Sequence, residues 1–293
     1  MSKKLSEKII EGGLKASALL TVLTTIGILW VLTSESIGFF RHVSVWEFIS
    51  GTKWTPLFES KHFGILPLLS GTFLTTFIAI IFALPFGIAI SVYLSEYAQP
   101  SFRRTIKPLL ELLAAVPTVV YGYFALMTVT PALKTIIPSL QGFNSLSAGI
   151  VMGIMIIPLI SSLSEDAMQA VPKALREASF GMGATRFQTA FKVVVPAAFS
   201  GIVVSVILAI SRAIGETMIV AIAAGQQPNL TFDPTVAIET ITTYIVQVSL
   251  GDVPHGSIEY QTIFAAGITL FIFTFILNTV SYWLKKRFRE AYE

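Results

Sequence analysis

The chain has 293 residues, 54% hydrophobic and only 13% charged, with a mean hydropathy of +0.75. Water-soluble domains carry about 25% charged residues, so this much apolar surface cannot close into one water-facing core, and lipid must be part of the solvent. There are no cysteines, which excludes disulfides, thiol catalysis and cysteine metal sites, and His42, His62 and His255 fit no ligand spacing.

From the N-terminus, Lys3, Lys4, Lys8 and Lys15 precede an apolar run from Ala16 to Thr33. The run is long for the apolar region of a signal peptide and no small-x-small cleavage site follows, so it reads as an uncleaved first span, with Gly12-Gly13 as its flexible approach. A spanning helix needs about 20 apolar residues. The charge-poor stretches 16–33, 71–94, 112–133, 146–163, 200–224 and 262–284 therefore predict an all-α bundle of six transmembrane helices in one membrane domain, residues 1–293. Between them lie an outer segment 34–70, a cytoplasmic loop 164–199 and an acidic outer segment 225–261 with Asp233, Glu239, Asp252 and Glu259, where one short or re-entrant element is expected. Pro85, Pro117 and Pro158 are read as tolerated kinks, Glu111 as a carboxylate in the first turn of span three, and Trp30, Trp46, Trp54 and Trp283 as interface anchors.

Charge placement orients the bundle. With the N-terminus inside, the inner segments hold Lys3, Lys4, Lys8, Lys15, Arg103, Arg104, Lys107, Lys173, Arg176, Arg186, Lys192, Lys285, Lys286, Arg287 and Arg289. The outer segments hold only Arg41, Lys53, Lys61 and Lys134, and Arg212 lies in a span. The asymmetry predicts a multi-pass protein of the cytoplasmic membrane with both termini in the cytoplasm. Basic residues at span ends, not in one patch, also argue against nucleic acid despite a pI near 9.0.

The cytoplasmic loop reads Glu177-Ala178-Ser179, three residues, Gly183, nine residues, then Val193-Val194-Val195-Pro196. Small residues let another surface approach closely, Gly183 can break one helix before the next, and Pro196 suits the first turn of the following span. A plain helix–turn–helix is the structural alternative. The spacing resembles the EAA loop of ATP-binding-cassette importer permeases throughout; Ser179, Val193 and Val195 are mild departures. Further runs extend the resemblance: Trp54-Thr55-Pro56, Phe63-Gly64-Ile65-Leu66-Pro67, Leu94-Ser95-Glu96-Tyr97, Glu111 to Pro117, Tyr121-Gly122 and Arg212-Ala213-Ile214-Gly215-Glu216-Thr217. Together they resemble the PstC-type permease subunit of the phosphate-specific importer, a type I permease fold.

Arg212 and Glu216 lie inside predicted span five, where a central charge costs about 2.5–3.5 kcal/mol. Spaced by four, they share a helix face and are within reach of each other. Either they neutralise each other and hold packing, or Arg212 offers a forked donor to a passing oxyanion while Glu216 holds it in place. Thr217 either lines the same path or bonds its own backbone. The resemblance implies the pathway role, with Glu177, Ala178, Ser179, Gly183 and Pro196 docking an ATPase. It also implies a second permease subunit of the PstA type, a PstB-type ATPase in two copies and a PstS-type extracytoplasmic phosphate-binding protein. No phosphate-binding loop of the Gly-x-x-x-x-Gly-Lys-Ser/Thr kind occurs, so the chain is expected to be no enzyme and to hold no cofactor, with ATP and magnesium on the partner. Transport of phosphonate, sulfate or molybdate, an ion-gradient-driven transporter, and a scaffold that moves nothing are the alternatives.

Overall fold

The computed structural model describes residues 2–287; Arg289, counted above among the inner charges, lies outside them. Among the described residues the chain is helical, with one isolated antiparallel bridge between Trp54 and Phe63. The first helix, α1 (Ser2–Phe40), is one continuous element of 39 residues. It outruns the predicted 16–33 because its polar flank is also helical, with Lys15 paired to Glu11 one turn back at 2.7 Å. Gly12-Gly13 lies within it and is no flexible approach. Most of α1 is exposed, as expected of a span whose solvent is hydrocarbon, where apolar side chains gain nothing by hiding.

Next, α2 (Val45–Ser50) is capped by Ser44, whose Oγ accepts from the Trp46 N–H. The segment then folds back over one end of the bundle. Trp54 is consequently no interface anchor: it is 1% exposed and packs edge-on against Phe48 and Tyr244 at ring distances of 6.1 and 4.9 Å. Trp30 and Trp46 remain exposed.

Helix α3 (Leu66–Val92) runs on through a π-helical turn, Tyr93–Tyr97, and Pro85 sits inside it without ending it. The predicted span 112–133 is not one helix. α4 (Pro100–Ala114) meets α5 (Thr118–Phe124) at 83°, and α5 continues through the π-helical turn Ala125–Val129 into α6 (Thr130–Lys134). The break falls where Pro117 disfavours helical backbone at the preceding residue. Glu111 therefore lies near the C-terminal end of α4, not in the first turn of a span. α7 (Ser145–Gln169) starts on an Asn144 cap, tolerates Pro158, and extends past the predicted limit at Leu163 to include Glu165 and Asp166.

The following segment holds α8 (Lys173–Gly181), α9 (Arg186–Thr189), a π-helical turn Ala190–Val194 and α10 (Val195–Ala197). It joins α11 (Phe199–Ile214) through a 71° bend. Pro196 belongs to the short helix before that bend, not to the first turn of the span. Predicted span five also stops early: α11 ends at Ile214, and α12 (Met218–Ala223) restarts after Glu216-Thr217. The short element expected within 225–261 is α13 (Ile241–Leu250), followed by α14 (Ile258–Arg287). Among the described residues four helices are long and apolar enough to cross a bilayer, and up to six crossings result if each bent pair counts as one.

The bundle centres on the α3–α7 seam. A Cβ added to Gly149 would sit 2.7 Å from Ile78 Cβ, one on Gly153 would sit 2.9 Å from the Ala79 carbonyl oxygen, and one on Gly87 would sit 2.7 Å from Ile160 Cγ2. Small residues let the two backbones approach, which matters where dispersion drives helix association. Around the seam pack Ala83, Met152, Ile156, Ala209, Ile219 and Val220. One end of the bundle gathers the Tyr93–Tyr97 turn, α4, the end of α7 and α8–α10; the other gathers α2, Trp54, Phe63 and α13. Gly153→Ile is expected to split the seam, lowering the melting temperature in detergent by an amount matching about 1–3 kcal/mol of overpacking. Gly12→Ala, with no neighbour within 4 Å and a gain in helix propensity, should not lower it.

Candidate functional site

The helix break at Gly215–Thr217 puts a carboxylate where free N–H groups need one. Glu216 Oε1 accepts from the Met218 and Ile219 N–H groups at 3.1 and 3.4 Å, at the start of α12, a favourable place for an anion. Its own carbonyl accepts from Thr242 Oγ1 at 2.8 Å. The Glu216 side chain is thus fixed and only 3% exposed. Arg212 is on the preceding helix, so the two charges do not share one uninterrupted face. Arg212 Nη1 stands 3.9 Å from Glu216 Oε2, and Nη2 lies 4.0 Å from Met155 Sδ. Separations this long leave the ion pair without a hydrogen bond. Half of the Arg212 side chain is exposed, so its fork of N–H donors is open to an oxyanion. Thr217 Oγ1 makes a long contact of 3.5 Å to the Gly215 carbonyl.

At the far end of the bundle, Glu177, Ala178, Ser179 and Gly183 come together and Pro196 stands apart, beyond the π-helical turn. α8 ends at Gly181, and just past its Met182 cap Gly183 takes a φ of +82°, the left-handed turn that favours glycine. Thr185 then caps α9 in a reciprocal box with Gln188. Ser179 Oγ and Thr189 Oγ1 meet at 2.9 Å and tie the two helices into one hairpin. Glu177 and Ala178 face outward, and Phe180, Met182, Phe187 and Phe191 are all exposed. A cleft of about 550 Å³ separates α8 from the Tyr93–Tyr97 turn, lined by Gln99, Gln169, Lys173, Glu177 and Arg186 among others.

Three polar features escaped the sequence reading. Glu165, fully buried, receives Arg103 at 2.5 Å and Lys107 at 2.9 Å, which fastens α4 to α7. Arg176 binds Glu96 at 3.1 Å. Charges directly after an apolar run were the available signal for the first; nothing local marks the second, whose partners are 80 residues apart. Third, Glu239 in the segment before α13 is 2% exposed, and its Oε1 has no partner. Its backbone carbonyl lies against Gly71 of α3, where a Cβ would come within 2.2 Å. Burial pushes the Glu239 carboxyl up to about 8.

A helical bundle with breaks between α4 and α5 and between α11 and α12, a half-exposed arginine at the second and an exposed helical hairpin at one end has the architecture of a multi-pass membrane protein. Residues 83–290 match the model of the binding-protein-dependent transport system inner membrane component, and the chain belongs to that family. It is 34% identical to the probable ABC transporter permease protein YqgH of Bacillus subtilis (strain 168), over 93% of this chain and 88% of that one. It is 30% identical to the phosphate transport system permease protein PstC of Mesorhizobium japonicum, over 97% and 91%. Among solved structures, a bacterial ABC transporter importing alginate superposes with a TM-score of 0.58 at 18% identity, covering 94% of this chain and 98% of that one. The MetNI methionine transporter, inward facing, gives 0.56 at 20% identity, covering 78% and 95%. These two carry the fold alone.

A carboxyl that titrates higher when folded stabilises the fold only while protonated. Stability is therefore greatest below the ordinary carboxylate range and falls as pH rises toward 8. The melting temperature of the detergent-purified protein should decline between pH 5 and 8, and Glu239→Gln should flatten that decline.

Proposed function

We propose that this chain is the membrane permease subunit of an ATP-driven importer of inorganic phosphate. The observation that carries the substrate is the near full-length similarity to relatives named for phosphate transport. In this reading a second, PstA-type permease subunit completes the path, a PstS-type binding protein delivers phosphate outside, and two PstB-type ATPase subunits hold ATP and magnesium. Both termini and the hairpin of α8 and α9 lie in the cytoplasm, consistent with the Lys and Arg asymmetry.

Glu177, Ala178, Ser179 and Gly183 then form the ATPase-docking element, with Pro196 at the hinge into α11. Exposed Phe180, Met182 and Phe187 supply the apolar contact that a partner groove would cover. Arg212 contacts phosphate in transit, Glu216 limits how strongly, and Thr217 lines the same break. An arginine half neutralised from 3.9 Å binds an anion weakly enough to release it, as conduction requires.

Uptake of radiolabelled phosphate by the reconstituted complex tests this. Arg212→Lys loses the fork and Glu216→Gln loses the counter-charge; both should lower uptake by roughly tenfold or more while all subunits co-purify. Normal uptake by both variants would remove these residues from the path. Gly183→Asp strains a left-handed position by about 1–2 kcal/mol and puts a charge on the docking face. It should abolish uptake and loosen the ATPase, read by co-purification; persistence of both rejects the docking assignment.

A further inference from the structure

We propose that Arg176 and Glu96 form the joint that carries motion of α8 into the α3–α7 pair. This positioning role rests on the permease reading above. Arg176 immediately precedes Glu177 in α8, yet its side chain points into the bundle and is 15% exposed. Its guanidinium donates from Nε and Nη2 to the two Glu96 oxygens at 3.3 and 3.1 Å. It also donates from Nη2 to the Met168 carbonyl at 2.7 Å and from Nη1 to the Val171 carbonyl at 2.5 Å. Glu96, 8% exposed, accepts in addition from Ser95 Oγ at 2.7 Å, and Gln169 reaches the Ser95 carbonyl at 3.2 Å.

One planar side chain thus grips three elements: α8, the π-helical turn ending α3, and the C-terminal end of α7. The carbonyls at a helix end need donors, and a cation is favoured there, so the grip is chemically matched at every point. A fork held at four acceptors has little rotational slack, unlike a flexible lysine. α8 buries no residue of its own. Leu175 packs against the apolar cluster of Val92, Met168, Val171 and Val194, a contact without direction, whereas the oriented polar attachment of α8 to the end of α3 among the described residues is Arg176 on Glu96.

Beyond the joint, the two long helices mesh through Gly87, Gly149 and Gly153 at distances that allow no compression, so a pull at one end moves the pair as a body. The far end of α3 meets the substrate side. Thr72 Oγ1 accepts from the Ile241 N–H at 3.2 Å, and Thr242 on the same short helix holds the Glu216 carbonyl. The structure therefore gives a contiguous route from docking hairpin to charged break, and the joint is its first link.

Because the chain has no cysteine, spin labels can be placed at Lys173→Cys on α8 and Phe86→Cys on α3, both exposed positions. The full complex with its ATPase subunits is reconstituted and the inter-label distance measured with and without ATP. Glu96→Gln is the test variant, since it leaves both carbonyl bonds of Arg176 in place and α8 folded. With Glu96 the distance should stay constant on adding ATP. In Glu96→Gln it should change by several ångström, with phosphate taken up per ATP falling roughly threefold to tenfold and the ATPase still co-purifying. The proposal is overturned if the distance changes with ATP when Glu96 is present, if Glu96→Gln leaves distance and transport ratio unaltered, or if the variant merely loses its ATPase. A complex that imports no phosphate but shows the expected distances would reject the substrate and uphold the joint.

Discussion

In hydrocarbon, a backbone N–H or C=O without a partner costs several kcal/mol, and the breaks between α4 and α5 and between α11 and α12 show how this chain meets that demand. At the first break, Tyr121 of α5 donates its hydroxyl back to the Leu113 carbonyl of α4 at 2.8 Å. At the second, the Glu216 carboxylate accepts the first N–H groups of α12 while Thr242 donates to the Glu216 carbonyl. Irregular backbone is affordable inside a membrane protein only where such partners exist, and the same condition puts a charged group at the break. The transport chemistry proposed for Arg212 depends on Glu216 being occupied in this way: its carboxylate serves the backbone first and the guanidinium only at 3.9 Å.

The ends of the bundle are built differently from its middle. The α3–α7 seam is made of glycines, alanines and aliphatic side chains, a contact that is rigid because it leaves no space. The end holding α4 and α8 is fastened by ion pairs instead: Arg103 and Lys107 on Glu165, and Arg176 on Glu96. Ion pairs with several acceptors fix orientation while tolerating partial hydration, so they suit elements that must stay attached while moving. A rigid pair of helices with ionic attachments at one end is the arrangement on which the proposed coupling to a partner ATPase rests.

Much of the fold was legible because hydropathy reports directly on the bilayer. The long apolar runs of α1, α3, α7 and α14 became long helices, and Gly183 took the left-handed turn that its spacing between two helical segments suggested. The misreadings share one cause. Hydropathy reports which residues can contact lipid, not whether the backbone is continuous. It therefore joined α4 to α5 and α11 to α12, and ended span four at Leu163 because Glu165 follows, although Arg103 and Lys107 neutralise that carboxylate from another helix. Trp54 looked like an interface residue for the same reason: its burial depends on Phe48 and Tyr244, the latter far along the chain.

The sequence by itself determined the solvent, the helical class, the spacing of the α8–α9 hairpin and the presence of two charges inside an otherwise apolar run. These are properties of composition and of separations below about 20 residues, which the chain carries locally. Tertiary structure alone decided that Glu216 caps a restarted helix, that Arg212 stays half exposed, that Glu239 is sealed without a partner, and that Arg176 reaches Glu96. The Glu216 cap uses neighbours two and three residues on but exists only because the helix breaks there; the burial of Glu239 and the reach of Arg176 depend on groups brought together from distant parts of the chain, and no local pattern encodes a distance between helices that only packing sets.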